Sequence, residues 1–276
     1  MSYETITYDK KGRLAYLMFN RPDQMNTLSN LMESEVRQAL LEFDLDDDAW
    51  VLIIHAAGKH FCAGVDLSQH SSFNLKAGDE DRQAGAVAAM KQGHVGGAQH
   101  LRGTGGEGWM GRTANYKPVI AAVQGYALAG GAHLAAECDM IVASEDAQFG
   151  ITETVRGMSG SRTWVKMNTF MPTKIASEML ITGRRFPAAD LYRVGFINRL
   201  VPNGDVLKAA EDLAALVLAV PPLAARDGVR ATRKQWVNKA TDLDYHMQLS
   251  RLDLTEDFKE AGKAFVEKRK PEYKAR

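Results

Sequence analysis

Cysteine is scarce in this chain: among 276 residues there are two, Cys62 and Cys138. They lack metal-type spacing and stand among apolar, strand-like residues, so buried free thiols in a reducing compartment are expected rather than a disulfide or a ligand pair. Neither sign of charge is in excess, since Lys+Arg and Asp+Glu both number 34. That balance excludes the basic field that favours nucleic acid or an anionic membrane, while leaving room for a local basic pocket for a phosphate. Long apolar runs are missing too. None approaches the roughly 20 residues of a membrane span, and the polar start Met1-Ser2-Tyr3-Glu4 lacks the apolar stretch of a signal peptide. A cytoplasmic protein follows as the expectation. The remaining composition is that of a soluble globular chain, long enough for one large domain, or one domain and an appendage, with a sizeable core.

Against these scarcities stand two turns rich in small residues. One is Phe61-Cys62-Ala63-Gly64-Val65-Asp66-Leu67; the other is Gly125-Tyr126-Ala127-Leu128-Ala129-Gly130-Gly131-Ala132-His133-Leu134. Each follows an apolar, strand-like run, and small residues at a turn free backbone N–H groups to face a ligand instead of a ladder partner. If the N–H groups of Val65 and Gly130 converge, they form an oxyanion hole, and the positive end of a helix opened by Gly130 and Gly131 adds to it. Spacing alone leaves a second reading open, in which the glycines serve only tight strand–helix packing.

Between these landmarks the chain alternates strand and helix signals. Arg13–Asn20 is expected to be a strand ending at Arg21-Pro22. A helix starts at Ser29 or Asn30, buries Met32, Val36, Ala39, Leu40 and Phe43 on one face, and ends in the acidic run Asp44–Asp48. Val51–Ile54 and Lys117–Val123 read as strands covered on both faces. Asp139–Ala143 and Phe196–Val201 are further strands, and Phe149–Glu153 is another short one or a turn. Helices are expected at Pro172–Thr182 and Pro187–Val194, stopped by Gly183 and Gly195. Residues 68 to about 116 are polar and crowded with glycine, with one helix possible at Ala84–Met90; they read as a surface excursion or as a lid that shapes a pocket. From Asp205 onward only helical patterns remain, at about 206–219, 222–237, 242–254 and 255–268. A boundary is therefore placed at 203/204, between an α/β core (1–203) and a helical segment (204–276). Strand, strand, helix units recur around 13–43, 51–67 and 119–137.

The ordered set Phe-Cys-Ala-Gly-Val-Asp-Leu (61–67), Lys-Pro-Val-Ile-Ala-Ala-Val-Gln-Gly-Tyr-Ala-Leu (117–128) with Ala-Gly-Gly, and Cys-Asp-Met-Ile-Val-Ala-Ser-Glu-Asp-Ala-Gln-Phe-Gly (138–150) resembles the crotonase superfamily, the enoyl-CoA hydratase/isomerase group. Arg21-Pro22 with Met25-Asn26, Leu180–Arg185, Gly195–Asn198 and Ala264–Pro271 match as well, so the likeness spans nearly the whole chain. It implies an α/β fold, a crotonase-like spiral of ββα units, with a C-terminal helical segment that builds a trimer or a dimer of trimers and closes the pocket. The ligand would be an acyl-CoA thioester, with coenzyme A as part of the substrate, no permanently bound cofactor and no metal. Val65 and Gly130 match the family's two oxyanion N–H positions. Gln24, Met25, Ala63, Asp66 and Leu67 match positions that line the CoA path, and Phe265 and Lys268 match a C-terminal region that approaches CoA, often from a neighbouring subunit.

The acid/base positions depart from the pattern. Hydratases of the family carry two glutamates; the first position is His133 here, and the second is Glu153. A carboxylate beside a desolvated acyl chain can shuttle a proton near neutral pH, and Glu153 is the candidate for that work. The alternative is a solvated loop residue paired with Arg156 or Arg162. His133 either restores a two-group site or only fills space. Tyr126, Trp164 and Tyr245 read as packing before chemistry, and Ser159 and Ser161 lack the partners of a serine hydrolase. Two other functions stay open: a carbon–carbon bond hydrolase acting on a diketone without CoA, and a non-catalytic acyl-CoA-binding protein. The acyl group is open among short-chain, aromatic and alicyclic types.

Overall fold

A computed structural model describes residues 3–66, 109–110, 113–250 and 255–274, with the side chains of 238 and 240–250 left out. Leu67, the helix expected at Ala84–Met90, the rest of 68–108 and the side chain of Tyr245 lie outside the described residues.

The chain order is β1 (Ile6–Lys11), β2 (Leu14–Phe19), α1 (Asn30–Leu45), β3 (Val51–Ala56), β4 (Val119–Val123), β5 (Tyr126–Leu128), α2 (Gly130–Glu137), β6 (Met140–Ser144), β7 (Gln148–Gly150), α3 (Ser161–Phe170), α4 (Thr173–Thr182), β8 (Phe186–Pro187), α5 (Ala188–Arg193), β9 (Arg199–Val201), α6 (Val206–Leu218), α7 (Pro222–Ser250) and α8 (Glu256–Val266). One sheet runs β1-β2-β3-β4-β6-β9, antiparallel only between β1 and β2; the other is β5-β7-β8. Parallel strands covered on both faces should be apolar throughout; β4 is, and β3 is apart from His55 near its end. Alternate residues part into two cores. Leu17, Phe19, Leu52, Ile54, Ala121 and Val123 meet the α1 stripe of Met32, Val36, Ala39 and Phe43. Val51, Ile53, Ile120, Ala122 and Val142 meet Val206, Ala210 and Ala214 of α6 on the other face.

Several expectations are corrected. As far as Ser250, the pieces expected at 222–237 and 242–254 form one unbroken helix, α7, because no glycine or proline between Gln235 and Ser250 interrupts it; 251–254 lie outside the described residues. The strand expected over Phe196–Val201 is limited to Arg199–Val201. Cys138 caps the end of α2 rather than lying in a strand. Strand β1 and helix α3 have no counterpart in the sequence reading. Ser29 caps α1 by accepting from Met32 N–H at 3.1 Å, as expected of that residue type.

Candidate active site

The turn at 63–65 is carried to the turn at 128–130 by backbone pairing. Phe61 and Cys62 N–H donate to Gln124 and Tyr126 O at 2.8 Å each, and Leu128 N–H donates to Cys62 O at 3.0 Å. On the other side, Leu28 N–H donates to Gly64 O (2.8 Å) and Asp66 N–H to Leu28 O (2.9 Å). This parallel bridge uses the Gly64 C=O and the Asp66 N–H on either side of Val65 and leaves the Val65 N–H facing away from Leu28. Neither Val65 N–H nor Gly130 N–H has a hydrogen-bond partner among the described residues.

The two turns are in contact. A Cβ at Gly64 would lie 3.0 Å from Ala129 Cβ and 3.9 Å from Gly130 N, and a Cβ at Gly130 would lie 3.6 Å from Val65 Cγ2. Gly131 is pressed against the first turn, where a Cβ would come 2.3 Å from Cys62 O. Ala129 has φ 48° and ψ −118°, a conformation costly for a residue with a Cβ, of order 1–3 kcal/mol. Its N–H bonds Gly150 O at 2.9 Å, and Gly130 then opens α2.

The expected CoA-path residues gather beside the first turn. Asn26 is fully buried; its Oδ1 accepts from Arg21 N–H (2.8 Å) and its Nδ2 donates to Ala57 O (2.9 Å) and His60 O (2.7 Å). Arg21 pairs with Asp66 at 3.0 Å and donates to Thr27 O. Ala63 N–H bonds Met25 O at 3.1 Å. Met25, Ala63 and Asp66 are thereby fixed together, with Gln24 exposed next to them. Leu67 lies outside the described residues.

His133 stands one turn into α2. Its Nε2 is 2.6 Å from Glu137 Oε1, four residues on, and Lys166 Nζ of α3 is 2.6 Å from the same oxygen. Glu137 Oε2 accepts from the N–H groups of Trp109 (2.5 Å) and Met110 (2.9 Å). Burial pushes this carboxyl up, but Lys166, His133 and the hydrogen bonds outweigh it and bring it down to about 2. Lys166 is buried with its ammonium 3.7 Å from the Trp236 ring of α7. Burial, with Lys166 close by, pushes His133 below the ordinary imidazole value. With Nε2 against the Glu137 carboxylate, a ring that carries its proton on Nε2 presents Nδ1 to Thr163 as a lone pair.

Glu153 lies in the turn after β7 and is half-buried. Thr163, buried at the start of α3, has its Oγ1 3.3 Å from Glu153 Oε1 and 3.4 Å from His133 Nδ1. The two acid/base candidates are thus separated by a single hydroxyl. The guanidinium of Arg156 lies 3.7 Å from the Phe265 ring centroid. Phe265 is brought there by α8, which packs on residues 154–156; Lys268 is exposed just beyond that helix. Tyr126 stacks on His60 with ring centroids 4.2 Å apart, and Trp164 packs against the main core. Both cysteines are free and buried, and burial pushes Cys62 up to about 12.

Glu137, Thr163 and Lys166 were not singled out in the sequence. The one local signal was the i, i+4 spacing of His133 and Glu137, which places both on one helix face.

The model of the family described as enoyl-CoA hydratase/isomerase matches residues 9–276. A probable enoyl-CoA hydratase of Rhizobium meliloti is 32% identical, covering 100% of both chains. The mevalonyl-coenzyme A hydratase of Aspergillus fumigatus is 30% identical over 94% of this chain and 90% of its own. Among solved structures, carnitinyl-CoA hydratase from Mycobacterium avium superposes with a TM-score of 0.75 at 31% identity over 100% of both chains. The protein is an α/β enzyme of the hydratase/isomerase class with the crotonase fold, and the chain belongs to the enoyl-CoA hydratase/isomerase family.

Proposed function

We propose that this enzyme acts on an acyl-CoA thioester whose carbonyl oxygen is received by the N–H groups of Val65 and Gly130, with Glu153 moving the proton. The observation that carries this reading is the contact between the two amide turns, with Glu153 and His133 joined through Thr163 one helical turn further along α2. Charge that develops on the thioester oxygen would meet two donors and the positive end of α2. An enolate formed there needs a base at the adjacent carbons. For hydration, Glu153 takes a proton from water as the oxygen adds to the β carbon, then returns that proton to the α carbon. For isomerisation, it takes a proton from one carbon and delivers it to another. Either cycle closes with one carboxylate, which suits a site where an imidazole stands at the second position.

In the same reading the segment Gln24, Met25, Ala63, Asp66 and Leu67 lines the CoA path, and Phe265 and Lys268 close it. Coenzyme A enters as part of the substrate, with no permanently bound cofactor. The proposed division at 203/204 separates functions and not packing, since α6 covers one face of the sheet and Trp236 of α7 is buried in the main core. The assembly in this reading is a homotrimer or a dimer of trimers, for which exposed Leu216, Val220 and Leu223 offer apolar surface. No helix among the described residues is long and apolar enough to cross a membrane, and a cytoplasmic site of action suits the two buried thiols.

The test is a turnover screen of enoyl-CoA and aryl-CoA esters against free diketones, with Glu153→Gln alongside. Turnover of a CoA ester that falls at least about 100-fold in E153Q supports the reading. Turnover of diketones alone, binding of thioesters with no turnover, or full activity of E153Q each contradicts it.

A further inference from the structure

The Thr163 hydroxyl has one proton and two acceptors facing it, Glu153 Oε1 at 3.3 Å and His133 Nδ1 at 3.4 Å. Which acceptor receives that proton depends on whether Glu153 is protonated. An ionised Glu153 takes the Thr163 O–H. A protonated Glu153 donates to Thr163 Oγ1 instead, and the Thr163 proton turns to His133 Nδ1. Behind His133, Nε2 lies 2.6 Å from Glu137 Oε1, and Lys166 Nζ lies 2.6 Å from the same oxygen.

We propose that Thr163 couples Glu153 to a proton acceptor, the His133 ring backed by the Glu137 carboxylate, so that the protonation of Glu153 is set through the Thr163 hydroxyl. This rests on the role given to Glu153 above. In the transfer, the Glu153 O–H bond breaks as a new O–H bond forms at Thr163 Oγ1, while the original Thr163 proton passes to His133 Nδ1. The products are a Glu153 carboxylate, an unchanged threonine and an imidazolium facing the Glu137 carboxylate; the reverse transfer restores the start. No redox partner or further reactant is needed.

The surroundings are suited to this exchange. Glu137 offsets the charge of an imidazolium, while Lys166 and Arg162 oppose it, so His133 returns its proton instead of retaining it. The Glu137 carboxylate cannot turn away, because two backbone N–H groups and Lys166 hold it in place. Thr163 and His133 are positioning residues in this scheme, since they act on substrate only through Glu153.

The experiment is a pH titration of the full chain without substrate, followed by the side-chain carboxyl 13C signal of Glu153 and the ring 15N signals of His133, in the parent protein, Thr163→Val and Thr163→Ser. Coupling through the hydroxyl should move the Glu153 titration by about half a pH unit or more in T163V. In T163S, which keeps the hydroxyl, it should return toward the parent curve. The pH–rate profile of T163V should move on the same limb, with KM little changed. Superimposed parent and T163V titrations would overturn the inference while leaving the role of Glu153 intact. Full turnover by E153Q would instead overturn that role and the proposed purpose of the coupling. If T163V does not fold, the His133→Ala variant carries the test: an unmoved Glu153 titration there contradicts the coupling, and a moved one supports it.

Discussion

His133 Nε2 sits 2.6 Å from Glu137 Oε1 inside the protein, and the pair is completed by Lys166 on the same oxygen. This neutralises a carboxylate that would otherwise be isolated at the C-terminal end of α2, where the helix dipole disfavours negative charge. It also holds the imidazole with Nδ1 toward Thr163.

Breaking such a pair leaves an uncompensated buried charge. Lys166→Met should lower folding stability by about 3–5 kcal/mol, measured by urea unfolding. A change of under about 1 kcal/mol would show that Lys166 does not neutralise Glu137 in the folded protein.

Stability should fall with acid in two stages. His133 has a folded-state value below the ordinary 6.5, so as the pH drops beneath 6.5 the unfolded chain gains a proton first and folding weakens. Glu137, brought from 4.5 down to about 2, contributes stability that is present above 4.5 and lost as the pH falls toward 2. Melting temperatures of the parent and Glu137→Gln across this range check the assignment. The E137Q curve should be lower at neutral pH and flatter below 4.5; parallel curves would count against it.

Asn26 ties three backbone segments together around the first turn. Asn26→Ala leaves buried groups without partners and should cost about 2–4 kcal/mol, seen in chemical denaturation, together with a higher KM for CoA esters. An unchanged KM would remove Asn26 from the support of the CoA path.

Gly131→Ala places a Cβ 2.3 Å from Cys62 O, so the backbone must move. A loss of about 1–3 kcal/mol should accompany a fall in kcat, because the Gly130 amide moves with it. Gly204→Ala, where nothing lies within 4 Å, is the control and should stay within about 0.5 kcal/mol. Equal behaviour of the two variants would contradict the contact between the turns.

The turns themselves were legible because small residues after apolar runs have a local cause and a local signature. So were α1, whose stripe repeats at helical spacing, and β3 and β4, whose continuous apolar runs announce cover on both faces. The Thr163–His133–Glu137–Lys166 cluster was not. It depends on α3 packing between α2 and α7, a tertiary contact with no sequence period, and the polar lead Gly157–Arg162 concealed the helix that carries Thr163. Strand β1, with only Ile6 buried, has too little alternation to be read locally. Glu137 ends an alanine-rich helix, and its burial comes from Trp109, Met110 and Lys166, which are distant in the chain.

Exchange of the α-carbon hydrogens of a bound acyl-CoA with D2O, followed by NMR for the parent and Glu153→Gln, reaches the central claim most directly. Two amides polarising the thioester, with Glu153 as the base, require exchange in the parent and a loss of at least about 100-fold in E153Q, with the thioester still bound. Equal exchange rates in the two proteins, or none in the parent with the thioester bound, would contradict it.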